Sequence, residues 1–156
     1  MLILGIDPGL SGAIAFLDTT TDALVIMDMP TVEMTRNGKN KREVSPALIA
    51  DMIAGKGVTQ AFMERVSAMP GQGVSSMFSF GRSTGVVEGV LAAYEIPTTL
   101  VIPQAWMKAM GVRAGKDGSR ERAMQLFPQY ADRFARKKDD GRSDAALIAK
   151  YGASYC

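Results

Sequence analysis

The chain has no histidine. Imidazole acid–base chemistry, Ser-His-Asp triads and histidine-built zinc sites are therefore excluded. Cysteine is nearly as scarce, with one copy, Cys156, at the last position. An intrachain disulfide cannot form, a cysteine-rich zinc site is excluded, and an intracellular setting is expected. No apolar run approaches the roughly 20 residues needed to cross a membrane. The first residues carry no basic segment, and Asp7 interrupts their apolar run, so no secretory signal and no membrane partner are expected. Neither sign of charge dominates: 18 Lys and Arg stand against 16 Asp and Glu, a net +2 that permits a nucleic acid partner without indicating one. Any bound metal must take oxygen ligands, and carboxylate sites suit magnesium or manganese.

A length of 156 residues, 47% of them hydrophobic, suits one domain with a sizeable core. Leu2 to Asp7 and Ala13 to Asp18 read as strands around a Pro8-Gly9 turn, and Ala23 to Met29 as a third, giving an antiparallel meander. Pro30 to Glu43 is polar and holds Lys39, Lys41 and Arg42. Its Arg36-Asn37-Gly38 tip predicts a mobile, solvated loop. Ser45-Pro46 opens a helix that runs to about Ala54. Val58 to Met63 reads as the fourth strand, with Glu64 just beyond it, and Val74 to Tyr94 as a long helix. Gly81, Gly85 and Gly89 recur on one side of that helix. Glycine there costs about 0.5–1 kcal/mol relative to alanine, so a closely approaching backbone is expected, the domain's own sheet ahead of a second subunit. Thr98 to Ile102 is the fifth strand, and Gln104 to Met110 a short helix with the lone Trp106 and Lys108. Arg113 to Arg120 reads as loop, Ser119 as the cap of a helix to about Leu126, and Arg133, Arg136, Lys137 and Lys138 as a basic patch. The last helix spans about Gly141 to Tyr151. No repeat or linker divides residues 1–156.

Three acids hold special places: Asp7 ends the first strand, Glu64 the fourth, and Asp144 lies on the first turns of the last helix. Each has an ordinary explanation: Asp7 as the start of an Asx-type turn, Glu64 as a surface acid, Asp144 as a first-turn dipole contact. Adjacent parallel strands end on the same sheet edge, however, so the three can converge there. Asp140, one helical turn before Asp144, shares its face, and like charges so spaced repel unless a cation lies between them. Converged carboxylates would hold two divalent ions roughly 3.5–4 Å apart, a device for in-line phosphodiester hydrolysis.

Gly-Ile-Asp-Pro-Gly at 5–9, Met-Glu-Arg-Val at 63–66, Phe-Gly-Arg-Ser-Thr-Gly-Val at 80–86 and Asp-Gly-Arg-Ser-Asp-Ala-Ala-Leu-Ile-Ala at 140–149 resemble the RuvC-type Holliday junction resolvases, crossover junction endodeoxyribonucleases, and most closely their bacteriophage-encoded branch. The resemblance implies an α/β, ribonuclease H-like fold: a five-stranded mixed sheet, three antiparallel strands then parallel ones, flanked by helices. It also implies a homodimer that cuts four-way or branched DNA with Mg2+, Mn2+ substituting, in the cytoplasm of a bacterial host cell if phage-encoded. Asp7, Glu64 and Asp144 would be metal ligands, and Lys108 the basic residue near the scissile phosphate. The bacterial members space their last two acids three apart, but Gly141 stands three before Asp144. Asp140 is taken as the fourth ligand, with Asp139 as the alternative. Lys39, Lys41, Arg42, Lys116, Arg120, Arg136, Lys137 and Lys138 are the expected DNA contacts. Trp106 is read as a core anchor in preference to a base-stacking platform. The competing functions are another ribonuclease H-like nuclease acting on DNA or RNA, an actin-like or sugar-kinase-like ATPase, for which one domain is too small, and a non-catalytic DNA-binding module.

Overall fold

β1 (Leu2–Asp7) lies in the middle of a five-stranded sheet, flanked by β2 (Ala13–Asp18) and β6 (Val58–Glu64). β3 (Leu24–Asp28) and β7 (Thr98–Val101) form the edges, so the order is β3-β2-β1-β6-β7 in a computed structural model that describes residues 1–156. β1 to β3 are antiparallel, and β6 and β7 run parallel to β1, which gives the expected mixed sheet. Side chains alternate across the pleat of β1, and both faces are covered. Ile3 packs on one side with Phe62, Trp106, Phe127 and Leu147, while Leu4 and Ile6 pack on the other with Ile49, Met63, Val87 and Leu91. The first layer is carried by α3 (Pro103–Met110), α4 (Gly118–Leu126) and α5 (Asp140–Ala153), the second by α1 (Pro46–Ile53) and α2 (Val74–Ala93). Ser45 caps α1 by accepting from the Leu48 N–H at 3.3 Å, with Pro46 at the first helical position.

Four local expectations are corrected. The stretch read as a mobile loop is an antiparallel hairpin, β4 (Thr31–Arg36) with β5 (Lys39–Val44). Asn37 and Gly38 have φ of 51° and 71°, the two positive values of a type I′ turn. Gly81, Gly85 and Gly89 do not pack on the sheet: a Cβ at any of them would meet nothing within 4 Å. Ser119 is not a cap, since α4 begins at Gly118 and Asp117 holds the cap position. Residues 128–134 and 137–139, where the sequence predicts no element and only a basic patch at Arg133, Arg136, Lys137 and Lys138, form short 3₁₀ turns.

Candidate metal centre at the ends of β1, β6 and α5

The pairing of β1 with β6 runs to Ile6 opposite Met63. The next residues are Asp7 and Glu64, so the two acids leave adjacent parallel strands at the same edge, with strands about 4.8 Å apart. Asp144 arrives from α5. That helix can lie this close because Gly5 carries no side chain: a Cβ there would sit 2.2 Å from the Ala145 carbonyl oxygen and 2.3 Å from the Ala149 nitrogen. Gly141 does the same for the start of α5, where a Cβ would come within 2.4 Å of the Ser11 carbonyl oxygen. Asp144 is thereby held over the turn that follows Asp7.

Low dielectric and mutual repulsion govern these acids. Burial pushes the Asp144 carboxyl up to about 7, a nearby Ser119 hydroxyl opposes this, and Asp7, Glu64 and Asp140 add to it. Its Oδ1 is buried with no hydrogen-bond partner. Asp7 is raised by burial against the Gly9 N–H, which donates to its Oδ1 at 3.3 Å. The Asx-type bond of the ordinary reading is therefore present as well. Glu64 is raised by burial and by Asp7, and lowered by the Trp106 Nε1–H, which donates to its Oε2 at 2.9 Å.

The two candidates for a fourth ligand differ sharply. Asp139 is 1% exposed and saturated: the Arg136 N, Nε and Nη2 groups donate to it at 2.9, 3.1 and 2.9 Å, and Arg142 Nη1 lies 3.5 Å away. Asp140 is half open to solvent and accepts from Arg120 Nε at 2.9 Å. Asp140 acts on the titration of Asp144, so the two are electrostatic neighbours. As the side chains stand, no three acids are close enough together to complete one ion's coordination. The donor set nevertheless fits a hard divalent cation: every candidate donor is a carboxylate oxygen, and the buried, unpartnered Asp144 Oδ1 is a lone pair without a proton to accept.

The expected basic residues divide into free and committed ones. Lys108 is exposed and makes no ion pair with the acids; it stands two positions, about 200° of helix, from the inward-facing Trp106. Lys116, Lys137 and Lys138 are exposed without an ion-pair partner. Arg136 is engaged by Asp139. Arg120 is a correction: it is 8% exposed and its guanidinium is used by Asp140, Asp117 and the Ala135 carbonyl, so it is an internal brace and not a surface cation for DNA. Lys39, Lys41 and Arg42 stand on the exposed β4–β5 hairpin, with Arg42 Nη2 donating to the Leu10 carbonyl at 3.0 Å.

That last bond ties the hairpin to the β1–β2 turn and closes one wall of a groove of roughly 660 Å³. Arg36, Lys41 and Arg42 line it from the hairpin, Arg82, Ser76 and Ser79 from α2, and Gly9 to Ser11 at the end nearest Asp7. Glu43 links the walls, holding Arg36 and Arg82 at 3.3 Å each. Sequence reading missed the α2 side of this groove, the Arg120 brace and the Trp106–Glu64 bond. One signal was available: a buried indole N–H seeks an acceptor, and Glu64 was a candidate at the neighbouring strand end.

No family model matches the chain, and no curated protein does. Solved structures do. A Thermus thermophilus RuvC in complex with a Holliday junction substrate superposes with a TM-score of 0.67 at 13% identity, covering 99% of this chain and 96% of that one. A second Thermus thermophilus RuvC structure gives 0.61 at 12% identity, with the same coverage. The likeness shows the fold, a ribonuclease H-like α/β sheet with helices on both faces.

Proposed function

We propose that this chain is a metal-dependent, structure-selective endonuclease that resolves four-way or branched DNA by paired symmetric nicks. One observation carries the proposal: Asp144 Oδ1 is buried without a partner at the meeting of Asp7 and Glu64, a costly arrangement with no structural return in the protein alone. Asp7, Glu64 and Asp144, with Asp140 as the fourth, would hold magnesium or manganese. Bound there, the cation would make a water more acidic and offset charge on the leaving oxygen of a phosphodiester. Asp140 would serve from the rim, held by Arg120, and Lys108 would meet DNA phosphate outside the carboxylate cluster.

The groove beside Asp7 supplies a path for the strand that leaves the site. Its lining arginines and lysine suit phosphate oxygens, and its serine hydroxyls can donate to them. The likeness in fold to a protein seen with a Holliday junction supports a branched substrate. A second copy is expected on α2: Val74 and Phe78 are 87% and 72% exposed on the side where the glycines leave open space, so another helix could approach closely. A two-fold dimer would present two sites to a two-fold junction.

Labelled four-way, Y-shaped and linear DNA, each incubated with and without magnesium, tests the proposal. Symmetric nicks in the four-way substrate, with magnesium and not without, are the expected result, and Asp7→Asn, Glu64→Gln and Asp144→Asn should each bind the junction without cutting. Equal affinity for junction and linear duplex at about 0.15 M salt would contradict shape selection, because non-specific phosphate contacts would then account for all the binding.

A further inference from the structure

Trp106 is the single tryptophan of the chain and is fully buried. Its indole is held from two directions. α3 begins with Pro103 and stops at Gly111 in the left-handed conformation, so the backbone under the ring is fixed at both ends. The ring itself lies in the cluster that contains Phe62 of β6 and Ala145, Ala146 and Leu147 of α5. α3 packs against α5, the element that carries Asp144, and the indole itself reaches Glu64 at the end of β6. An indole has one polar atom, Nε1, which can only donate. That atom points at Glu64 Oε2 at 2.9 Å, and Glu64 takes no other hydrogen bond from the protein. A free glutamate explores many rotamers, and restricting it costs conformational entropy. Here one carboxylate oxygen is already tied down by a rigid donor, which leaves the other free.

We infer that Trp106 is a positioning residue: its indole N–H orients the Glu64 carboxylate so that the remaining oxygen is presented to a divalent cation. The inference rests on the reading of Glu64 as an ion ligand and adds the group that sets its geometry. Trp106 is thus more than a core anchor. Partners of this kind typically change metal affinity by 10–100-fold.

Because no other tryptophan is present, the tryptophan emission of the intact protein reports on the surroundings of Trp106, the Glu64 contact among them. Titration with manganese(II) chloride, followed by calorimetry and by tryptophan emission, tests the inference without cleavage. In the unmodified chain the emission should change along the calorimetric isotherm, and in Glu64→Ala the emission change should vanish. Trp106→Phe keeps a ring in the core but removes the donor, and should bind manganese at least ten-fold more weakly while its circular dichroism is unchanged. Unchanged manganese affinity in Trp106→Phe, or calorimetric binding with silent emission in the unmodified chain, would overturn the inference. If Trp106→Phe does not fold, the emission of the unmodified and Glu64→Ala proteins decides. Absence of manganese binding in the unmodified chain would instead overturn the reading of the acids, and this inference with it.

Discussion

Arg120 Nε donates to Asp140 Oδ1 at 2.9 Å, and the guanidinium is buried while the carboxylate is half open to solvent. The neighbouring Asp139 has the opposite situation, buried and enclosed by Arg136 and Arg142. Adjacent acids in one turn thus have different work. Asp140→Asn should lower cleavage strongly at a smaller cost in stability, because the buried Arg120 keeps Asp117 and the Ala135 carbonyl as acceptors. Asp139→Asn should retain most cleavage under stable conditions but lose roughly 1–3 kcal/mol of stability, because the Arg136 and Arg142 guanidiniums lose their charged partner and one acceptor oxygen becomes a donor. Burial raises the Asp139 carboxyl, but the Arg136 bonds outweigh it and hold it below its usual range. Its contribution is therefore present above the ordinary value of 3.8 and lost as pH falls below that. Urea unfolding of both variants, beside a cleavage assay, would check the division.

Asp144 should show the reverse pH dependence. Its folded-state value of about 7 lies above the ordinary 3.8, so the fold holds the proton more tightly than the unfolded chain does. Stability from this group is complete below about pH 4 and is lost progressively as pH rises to about 7. Asp144→Asn should then be nearly neutral near pH 4 and should stabilise the ion-free protein at pH 8 by roughly 1–4 kcal/mol. Added magnesium should raise the melting temperature of the unmodified chain at pH 8 and have little effect on the variant. Thermal melts at the two pH values, with and without the ion, suffice.

The groove between the hairpin and α2 gives a salt signature. Lys41→Ala, Arg42→Ala and Arg82→Ala should each weaken junction binding across all sequences. Each should also reduce the slope of log K against log salt by about 0.9 if it removes one phosphate contact. Lys137→Ala and Lys138→Ala, on the short turn before α5, provide the comparison. Fluorescence anisotropy between low and moderate salt would rank them.

Gly85 allows a test with two opposite signs. A Cβ there meets open space within the chain, so Gly85→Ala should stabilise the protomer by about 0.5–1 kcal/mol. If a second copy brings its backbone against this face, the same methyl group should weaken association. A more stable protein that dissociates at higher concentration in sedimentation would support the dimer on α2. A stable dimer with undiminished affinity would move the interface elsewhere.

The sheet was legible because its strands are apolar runs ended by turn residues, and Asp7 and Glu64 stood out as acids at those ends. The β4–β5 hairpin was not read because almost none of its side chains is buried: only Val32 and Met34 alternate in β4, and β5 is polar up to Val44. The Asn37-Gly38 pair was the available signal, and it implied a hairpin as strongly as a loop. Arg120 was mistaken for a surface cation because burial of a charged side chain depends on partners distant in sequence, here Asp140. The glycine row on α2 had the right periodicity, but periodicity does not say which side of a helix faces the sheet.

The seat of α5 on Gly5 has a consequence for the order of events during synthesis. β1 is made first, yet the contact that brings Asp144 over Asp7 joins residue 5 to residues 145 and 149. Nothing nearer in the chain supplies that acid, so a ribosome-bound intermediate with β1 to β7 already paired would carry Asp7 and Glu64 but no complete site. Domains emerge amino-terminal end first, and pairings this distant form late. If Asp7, Glu64 and Asp144 hold the cation as proposed, a growing or prematurely stopped chain should be unable to cut DNA, and cleavage should appear in one step when the residues of α5 become free to dock.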